Sequence, residues 1–353
     1  MEYGSFSNTI VSWFRENGRA LPWRETRDPY AIWLSEIILQ QTRIAQGWEY
    51  WERFMNEYPT VEALAEASED EVLKLWQGLG YYSRARNLHT AARQIVEMGK
   101  FPDTLEDIKA LKGVGDYTAA AIGSFAFDIP AAVVDGNVYR VLSRYFGIDT
   151  PVNSTQGKRE FAALAQSLLP SSDGVAYNQG MMDFGAVQCT PQSPKCLVCP
   201  LAETCEALRS GRVMELPVKL KTVKVTTRYL SYIYIRYKGK TAFHRRGEGD
   251  IWQGLWEPYN ASLHEAQAAT SIAEIMDMLH LSPNVSRLSF LAKGVKHVLT
   301  HRILLADFYL LEVDTPPVLP DDYMWIPEEE IGQYGVPRLI EIMLEKINKE
   351  KYE

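Results

Sequence analysis

Four cysteines constrain this 353-residue chain more than any other feature, because it has no others and all four fall within 17 residues. They are Cys189, Cys196, Cys199 and Cys205, spaced C-x6-C-x2-C-x5-C. Disulfides are rare in large chains without secretion features, whereas four thiolates can hold one zinc ion or one 4Fe–4S cluster. The six-residue gap is wide for zinc, so we expect the iron–sulfur cluster and keep zinc as the alternative.

Hydrophobic periodicity divides the chain into two parts. A helical spacing of apolar residues predicts helices over 30–46, 61–77 and 86–97, and no convincing alternating strand precedes residue 220. Aromatic and β-branched runs then predict strands over 229–237, 240–244, 285–291 and 303–313, with helices over 262–279 and 337–347. We therefore predict an all-α domain over residues 1–215, a basic linker over 216–228 and a smaller α+β domain over 229–353.

Charge and hydropathy narrow the function classes. No apolar run reaches the ~18 residues of a membrane span, and the first residues lack a secretion signal, so we expect a cytoplasmic protein with no membrane partner. The net charge of −8 argues against nucleic acid, yet residues 216–247 hold nine basic residues and no acidic ones. That stretch either follows a DNA backbone or solubilises a linker and an edge strand.

A Gly-x-Gly turn indicates a helix-hairpin-helix. The turn joins two helices, the first of which Thr104 can cap. The second helix would offer its unpaired N–H groups and positive dipole end to a phosphate without needing a lysine. We expect this DNA contact at Leu111, Gly113, Val114 and Gly115, with an ordinary helical hairpin as the alternative.

Two carboxylates suit acid–base chemistry. Glu36 shares a helix face with Ile32 and Gln40, where desolvation would raise its pKa and keep it protonated. Asp135 follows an apolar run and would cap the next helix, staying ionised near the helix N-terminus. One neutral and one charged carboxyl group is how glycosidic bonds are cleaved. A half-exposed helix glutamate and a plain capping aspartate are the alternatives.

These features resemble a known family. The hairpin, the Val-Asp-Gly-Asn segment at 134–137 and the cysteine loop resemble the endonuclease III superfamily of DNA glycosylases. Segments 21–24, 33–42, 78–87 and 178–186 resemble MutY-type adenine DNA glycosylases across the helical part. The resemblance implies a monomeric base-excision-repair enzyme that flips adenine out of double-stranded DNA and removes it when it is mispaired with 8-oxoguanine or guanine. It would be cytoplasmic and associated with the nucleoid through DNA.

The resemblance also assigns roles. Glu36 would protonate adenine N7, Asp135 would stabilise or trap the oxocarbenium ion, and Tyr117 and Asn137 would position them. The strand-cleaving relatives carry a Lys at the Tyr117 position, so we expect a monofunctional enzyme, although Lys109 and Lys112 leave weak lyase activity open. The residues that match the adenine pocket are Trp23, Arg24, Leu39, Ile44, Gln179 and Met182, and those that match the duplex wedge are Gln41 and Tyr81.

The second domain resembles the Nudix-like domain of the same enzymes, through Gly-Leu-Trp-Glu at 254–257. Its metal-binding carboxylate helix is missing, which argues against a nucleotide-pool pyrophosphatase. Thr300 and His301 match a Ser-His pair that contacts 8-oxoguanine, although Leu299 replaces a Phe; His301 is alternatively an ordinary polar residue at a strand start. Arg84 and Arg86 could meet phosphates or begin a solvated helix.

Two alternative functions remain open on the sequence. A non-catalytic iron–sulfur DNA-damage sensor would not need both Glu36 and Asp135. A bifunctional enzyme for pyrimidine lesions would need an amine where Tyr117 stands.

Overall fold

The structure is a computed structural model that describes residues 3–220, 224–262, 270–281 and 286–350. The chain divides into two compact units, Met1–Ala65 with Thr90–Lys221 and Glu66–His89 with Thr222–Glu353. The first unit is helical and the second contains a sheet. The short segment Glu66–His89 belongs to the unit with the sheet, although it lies within the helical part of the sequence. The predicted domains placed this segment in the all-α domain, residues 1–215.

Helices make up the first three-fifths of the described chain. They are α1 (Tyr3–Asn17), α2 (Pro29–Ile38), α3 (Ile44–Glu57), α4 (Val61–Glu66), α5 (Glu69–Leu75), α6 (Ser83–Met98), α7 (Leu105–Ala110), α8 (Asp116–Phe127), α9 (Gly136–Phe146), α10 (Thr155–Leu168), α11 (Gly174–Asp183) and α12 (Glu206–Arg209). One turn of π-helix, Phe184–Gln188, continues α11 towards the cysteine loop.

Two of the predicted helices are each divided into two shorter helices in the structure. The predicted helix 30–46 breaks after Ile38, and the chain passes through a left-handed residue at Gln41 before α3 begins. The predicted helix 61–77 breaks at Ser68, whose side chain and that of Glu71 form a capping box. Apolar spacing continues across both breaks, so periodicity alone could not locate them.

The core of the helical unit lies between α1, α9, α10 and α11. Phe6, Ile10, Phe161 and Phe184 are among its fully buried side chains. The cysteine loop packs at the edge of the same cluster. A smaller cluster of Ile32 with residues of α8 packs α2 against α8. These contacts fix the faces of α2, α8 and α9 that carry the candidate site.

A six-stranded mixed sheet forms the second unit. Its strands are β1 (Thr226–Tyr237), β2 (Lys240–Arg245), β3 (Trp256–Asn260), β4 (Ser286–Val298), β5 (Arg302–Val313) and β6 (Tyr323–Pro327), in the order β4-β5-β1-β3-β2-β6. β1 and β5 are parallel, from Thr226 opposite Arg302 to Arg236 opposite Glu312, and the other pairs are antiparallel. α14 (Arg338–Glu350) covers one face of the sheet, and α13 (Ile272–Met278) packs in the cluster on the other.

The segment Glu66–His89 packs on this sheet unit through polar contacts. Lys74 Nζ donates to the carbonyl of Tyr334 at 3.2 Å, and Arg245 Nη2 lies 2.8 Å from Glu69 Oε1. The indole of Trp256 donates to Asp70 at 3.4 Å. α5 is therefore part of the sheet unit's own structure.

The strand predictions were right for β1, β2, β4 and β5 within a few residues, although β4 extends to Val298. β3 and β6 were missed, because each has five residues and contains a proline. Of the predicted helix 262–279, residues 263–269 lie outside the described part of the chain, and the rest contains α13. A search of the described residues finds no helix long and apolar enough to cross a membrane.

Candidate active site

A cavity of about 230 Å³ opens in the helical unit between α2, α8 and α11. Its wall contains every residue predicted for catalysis and for the adenine pocket: Trp23, Arg24, Glu36, Leu39, Ile44, Tyr117, Asp135, Asn137, Gln179 and Met182. Residues that lie far apart in the sequence thus meet around one space, with carboxyl, phenol and amide groups set among apolar side chains.

Glu36 is buried in the last turn of α2 and is only 7% exposed. Asp28 caps the helix by accepting from the amide of Tyr30, and Pro29 fills the first turn, where its missing N–H costs nothing. The Tyr117 hydroxyl donates to Glu36 Oε2 at 2.8 Å. Burial raises the pKa of Glu36 to about 7, helped by the charge of Asp135 and opposed by the hydrogen bond from Tyr117. The carboxyl group is therefore half protonated near neutral pH.

Asp135 caps α9 as the sequence predicted. Its Oδ1 accepts from the amides of Asn137 and Val138 at 2.8 and 2.7 Å, and its Oδ2 accepts from Asn137 Nδ2 at 2.7 Å. Burial nevertheless raises the pKa of Asp135, because it outweighs these hydrogen bonds and the charge of Arg140. The hydrogen bonds of the cap lower the pKa, as expected, but burial outweighs them. The charge of Asp135 in turn helps to raise the pKa of Glu36.

Asn137 is oriented by the buried Arg140. Arg140 Nη2 donates to Asn137 Oδ1 at 2.8 Å, which leaves the Asn137 amide nitrogen facing Asp135. The same guanidinium donates to the carbonyl of Cys189 at 2.7 Å and to that of Gly185 at 2.6 Å. The α9 N-terminus and the first cysteine are therefore joined through one side chain.

A buried carboxylate, Asp183, was not among the site residues predicted from the sequence. It accepts from the Arg19 amide at 2.9 Å and from both terminal nitrogens of Arg24 at 2.9 and 2.8 Å. Burial alone would raise its pKa, but the hydrogen bonds and charges of Arg24 and Arg19 lower the pKa of Asp183 to about 2. Asp183 thus fixes two cationic side chains at the cavity wall. The sequence offered one sign of this role: Asp183 directly follows two apolar residues, Met181 and Met182, where a charged residue is unusual.

Other wall residues were also missed: Arg19, Leu21, Ile32, Ser35, Thr42, Phe125 and Ala186. Most are apolar or small, and periodicity assigns such residues to a core rather than to a cavity. In the sequence, only their positions next to motif residues indicated that they line the cavity.

The four cysteines line a common small cavity and form no disulfide. Burial and the other three cysteines raise the pKa of Cys199 to about 11, so bare thiolates are disfavoured there. Within the described ranges, no group of three or more His, Cys, Asp or Glu side chains is arranged to hold a single metal ion. Arg144 Nη1, 3.4 Å from Cys189 Sγ, supplies a compensating positive charge.

The helix-hairpin-helix has the predicted form. Thr104 caps α7 by accepting from the amide of Asp107 at 3.2 Å, and Gly113 takes a φ of +80° that favours glycine. The side chains of Leu111 and Val114 are buried, so a ligand of this turn would meet backbone amides. Gly115 caps α8 without a side chain and leaves the first-turn N–H groups accessible to an acceptor.

A second cavity, of about 780 Å³, lies in the sheet unit. Both residues predicted to contact 8-oxoguanine line it, Thr300 and His301, together with the predicted wedge residue Tyr81. The hydroxyls of Tyr81 and Thr300 lie 2.5 Å apart. Tyr81 and Gln41 both have positive φ, 47° and 56°, a strained conformation that clusters at functional sites.

The structure does not favour a phosphate contact for Arg84. Its side chain is buried over the Trp76 ring at 5.0 Å, and Nη2 donates weakly to the carbonyl of Gly80 at 3.3 Å. Arg86 Nη1 donates to the carbonyl of Gln253 at 2.7 Å. Both guanidinium groups thus hold loops of the sheet unit, and the phosphate contact of Arg84 and Arg86 stays a prediction.

Three family models match the chain. Residues 34–170 match the HhH-GPD superfamily of base excision DNA repair proteins, 189–205 match the iron-sulfur binding domain of endonuclease III, and 231–346 match the NUDIX domain. The second match, together with the cavity that the cysteines share, identifies the group held by Cys189, Cys196, Cys199 and Cys205 as a 4Fe–4S cluster.

Similar proteins cover the helical part and beyond. The chain is 35% identical over 254 residues to an adenine DNA glycosylase of Buchnera aphidicola, which covers 71% of this chain and 73% of that protein. It is 43% identical over 217 residues to the adenine DNA glycosylase of Homo sapiens, which covers 58% of this chain and 40% of that protein.

Solved structures show the same fold. A thermostable thymine-DNA glycosylase aligns with a TM-score of 0.55 at 33% identity, over 59% of this chain and 97% of that one. An endonuclease III in a non-covalent DNA complex aligns with a TM-score of 0.52 at 22% identity, over 60% and 98%.

Proposed function

Because this chain belongs to the adenine DNA glycosylases, enzymes of base excision repair that remove adenine from DNA, we propose that its substrate is adenine mispaired with 8-oxoguanine or with guanine in double-stranded DNA. The observation that carries the mechanism is the buried Glu36, whose pKa is about 7, in one cavity with Asp135. The enzyme acts as a cytoplasmic monomer on nucleoid DNA.

Glu36 is the general acid of the proposed reaction. Adenine is a poor leaving group as an anion, so protonation at N7 precedes cleavage of the bond to C1′. A carboxyl group with a pKa near the working pH is protonated often enough to donate and is basic enough to accept a proton back. Its hydrogen bond with Tyr117 holds one oxygen, Oε2, and orients the group.

Asp135 stabilises the oxocarbenium ion that forms when adenine leaves, or traps it as a covalent sugar ester. Water then attacks C1′, with Glu36 as the base, and the outcome is that of a retaining glycosidase. The fixed geometry of Asp135, held by two backbone amides and the Asn137 side chain, supports this role. Tyr117 and Asn137 are positioning residues.

The flipped adenine enters the cavity of the helical unit. Extrusion of the base from the stack is needed before any side chain can reach N7. The aromatic and apolar walls formed by Trp23, Leu39 and Ile44 suit a purine ring, while Arg24, Gln179 and Met182 supply polar or polarisable contacts. Gln41 and Tyr81 insert into the duplex and fill the space that the flipped adenine leaves.

Strand cleavage is not part of the proposed reaction. A lyase forms a Schiff base between an amine and the sugar, and the residue at the corresponding position is Tyr117. Burial and the neighbouring carboxyl groups raise the pKa of Tyr117 far above its ordinary value, so it stays a neutral phenol. The enzyme is therefore monofunctional.

The sheet unit reads the base opposite adenine. Its cavity carries hydroxyl groups on Tyr81 and Thr300 and an imidazole on His301, which can donate to or accept from the oxidised edge of a purine. The hairpin 111–115 and the first turn of α8 hold the DNA backbone through amides. The 4Fe–4S cluster cross-links its loop, and hydrolysis of the glycosidic bond needs no electron.

The test is base excision on matched duplexes, each read with and without alkali. They carry A opposite 8-oxoguanine, A opposite G, A opposite T, T opposite G, or an oxidised pyrimidine opposite G. We expect cleavage of the first two alone, and only after alkali. Glu36→Gln is expected to bind the first duplex while losing excision.

Three results would contradict parts of this proposal. Nicking without alkali would restore the bifunctional alternative, and excision of T opposite G would assign the pocket to thymine. Full excision by Glu36→Gln would contradict the assignment of Glu36 as the general acid. A chain that binds the mismatch without any excision would be the damage sensor.

A further inference from the structure

A tryptophan with a strained backbone lies in the loop between β2 and β3. Trp252 has a φ of 62°, in the left-handed region that side chains rarely adopt. Bulky residues seldom occur there, and glycine would adopt the same conformation without strain. Gly249 and Gly254 in this loop do take positive φ, at 88° and 83°. Strain kept at one bulky residue is typical of a functional position.

The loop around Trp252 is held from two sides. Arg246 Nε donates to the carbonyl of Ile251 at 2.9 Å, and its guanidinium lies 5.9 Å from the centre of the Trp252 ring. Arg246 is itself fixed, because its other nitrogens pair with Glu257 at 2.5 Å and with Asp250 at 2.7 Å. The indole is therefore held in place in advance of any ligand.

The indole lines the cavity of the sheet unit. Tyr81, Thr300 and His301 line the same cavity, and the ring of His297 lies 6.0 Å from that of Trp252. The Trp252 side chain is partly exposed, so a planar ligand can reach its face. The cavity thus offers one aromatic wall and several hydrogen-bonding groups.

We propose that Trp252 is a specificity-determining residue whose indole is the wall against which an oxidised purine base stacks in this cavity. The inference rests on the proposed function, because it concerns the base opposite adenine. Stacking of a base on an aromatic side chain is tolerant of the base's identity. Its effect on selectivity is indirect: the wall fixes the purine plane so that the Thr300 hydroxyl meets the edge that distinguishes 8-oxoguanine from guanine.

The experiment measures discrimination with the full chain. Dissociation constants are measured on duplexes with a non-cleavable adenine analogue opposite 8-oxoguanine or opposite guanine. Trp252→Ala removes the ring and keeps the strain, Trp252→Gly removes both, and Trp252→Phe keeps an aromatic face. Lys238→Gly is the matched control, since Lys238 has a positive φ of 47° in the same unit but is not among the cavity-lining residues.

We expect Ala and Gly at position 252 to lower the preference for 8-oxoguanine about tenfold, within the range for losing a stacking ring. Phe should retain most of the preference, and Lys238→Gly should retain all of it. Competition by free 8-oxo-2′-deoxyguanosine monophosphate shows whether the indole also binds a nucleotide outside DNA. If the nucleotide competes with the wild type but not with Trp252→Ala, the stacking role of Trp252 is supported with a free ligand.

The inference and the proposed function fail separately. A wild-type chain that binds both duplexes equally contradicts the 8-oxoguanine specificity itself. A wild type that discriminates, together with Ala and Gly variants that discriminate equally well, overturns the role of Trp252 alone. A Phe variant as poor as Ala overturns stacking as the explanation.

Discussion

Glu36 should weaken the native state at the pH where the protein works. Its pKa rises from an ordinary 4.5 to about 7 on folding, so the folded chain binds the proton more tightly than the unfolded chain. The ionised carboxylate therefore costs stability, fully above pH 7 and not at all below 4.5. At about 1.4 kcal/mol for each pH unit between the two pKa values, the cost is about 3 kcal/mol.

Replacement of Glu36 by Gln removes this cost, because the neutral amide has the shape of the protonated acid. We expect Glu36→Gln to match the wild type near pH 4.5 and to exceed its free energy of unfolding by about 3 kcal/mol near pH 8.5. The variant is expected to lose adenine excision. In the wild type, the excision rate should fall as pH rises through about 7, because the acid form disappears.

The assay is urea unfolding of the full chain with its cluster, at several pH values, for the wild type and each variant. Only the difference between variants is used, since other titrating groups are common to both. Glu97→Gln, at an exposed position in α6, is the matched control and should show no pH-dependent gain. Equal stability of wild type and Glu36→Gln near pH 8.5 would refute a desolvated carboxyl group.

Three other changes test the neighbouring groups. Tyr117→Phe removes the hydrogen bond that lowers the pKa of Glu36, so the alkaline fall of the excision rate should move up by about one pH unit; no movement would exclude that bond. Asp183→Asn takes the buried negative charge from Arg24 and should lower the free energy of unfolding in urea by about 3 kcal/mol, whereas a change near zero would contradict a buried ion pair. Cys199→Ser removes one cluster ligand, and iron content and visible absorbance of the purified chain should both drop; an unchanged spectrum would remove Cys199 from the ligand set.

Short motifs predicted the active site of the helical unit because they place its side chains at the ends of particular helices. Glu36 and Leu39 lie at one end of α2, Tyr117 at the start of α8 and Asp135 at the cap of α9, so correct helices already place these side chains near one another. The distances between them follow from packing of apolar faces that no local pattern encodes. The effect of burial on the pKa of Asp135 was not anticipated for the same reason, since burial is a property of the assembled unit.

The grouping of Glu66–His89 with the sheet could not be read from the sequence. α5 has the helical pattern of its neighbours, and its polar contacts pair Glu69 with Arg245 and Lys74 with the carbonyl of Tyr334. Partners so distant in the chain leave no periodic signal. This segment places Tyr81 in the wall of the cavity that Thr300 also lines.

The ion pairs of the basic stretch 216–247 involve its arginines, and its contact with a DNA backbone stays a prediction. Its four arginines all face carboxylates: Arg228 pairs with Asp250, Arg236 with Glu312 and Glu328, Arg245 with Glu69 and Asp70, and Arg246 with Glu257 and Asp250. These cations stabilise the sheet unit and cannot also neutralise phosphates without losing their partners. The first turn of α8 contains an anion of its own, Asp116, but Lys109 pairs with it, which reduces its repulsion of a phosphate bound at the backbone amides there. A chain of net charge −8 can therefore hold a DNA backbone through helix geometry rather than through an excess of positive side chains.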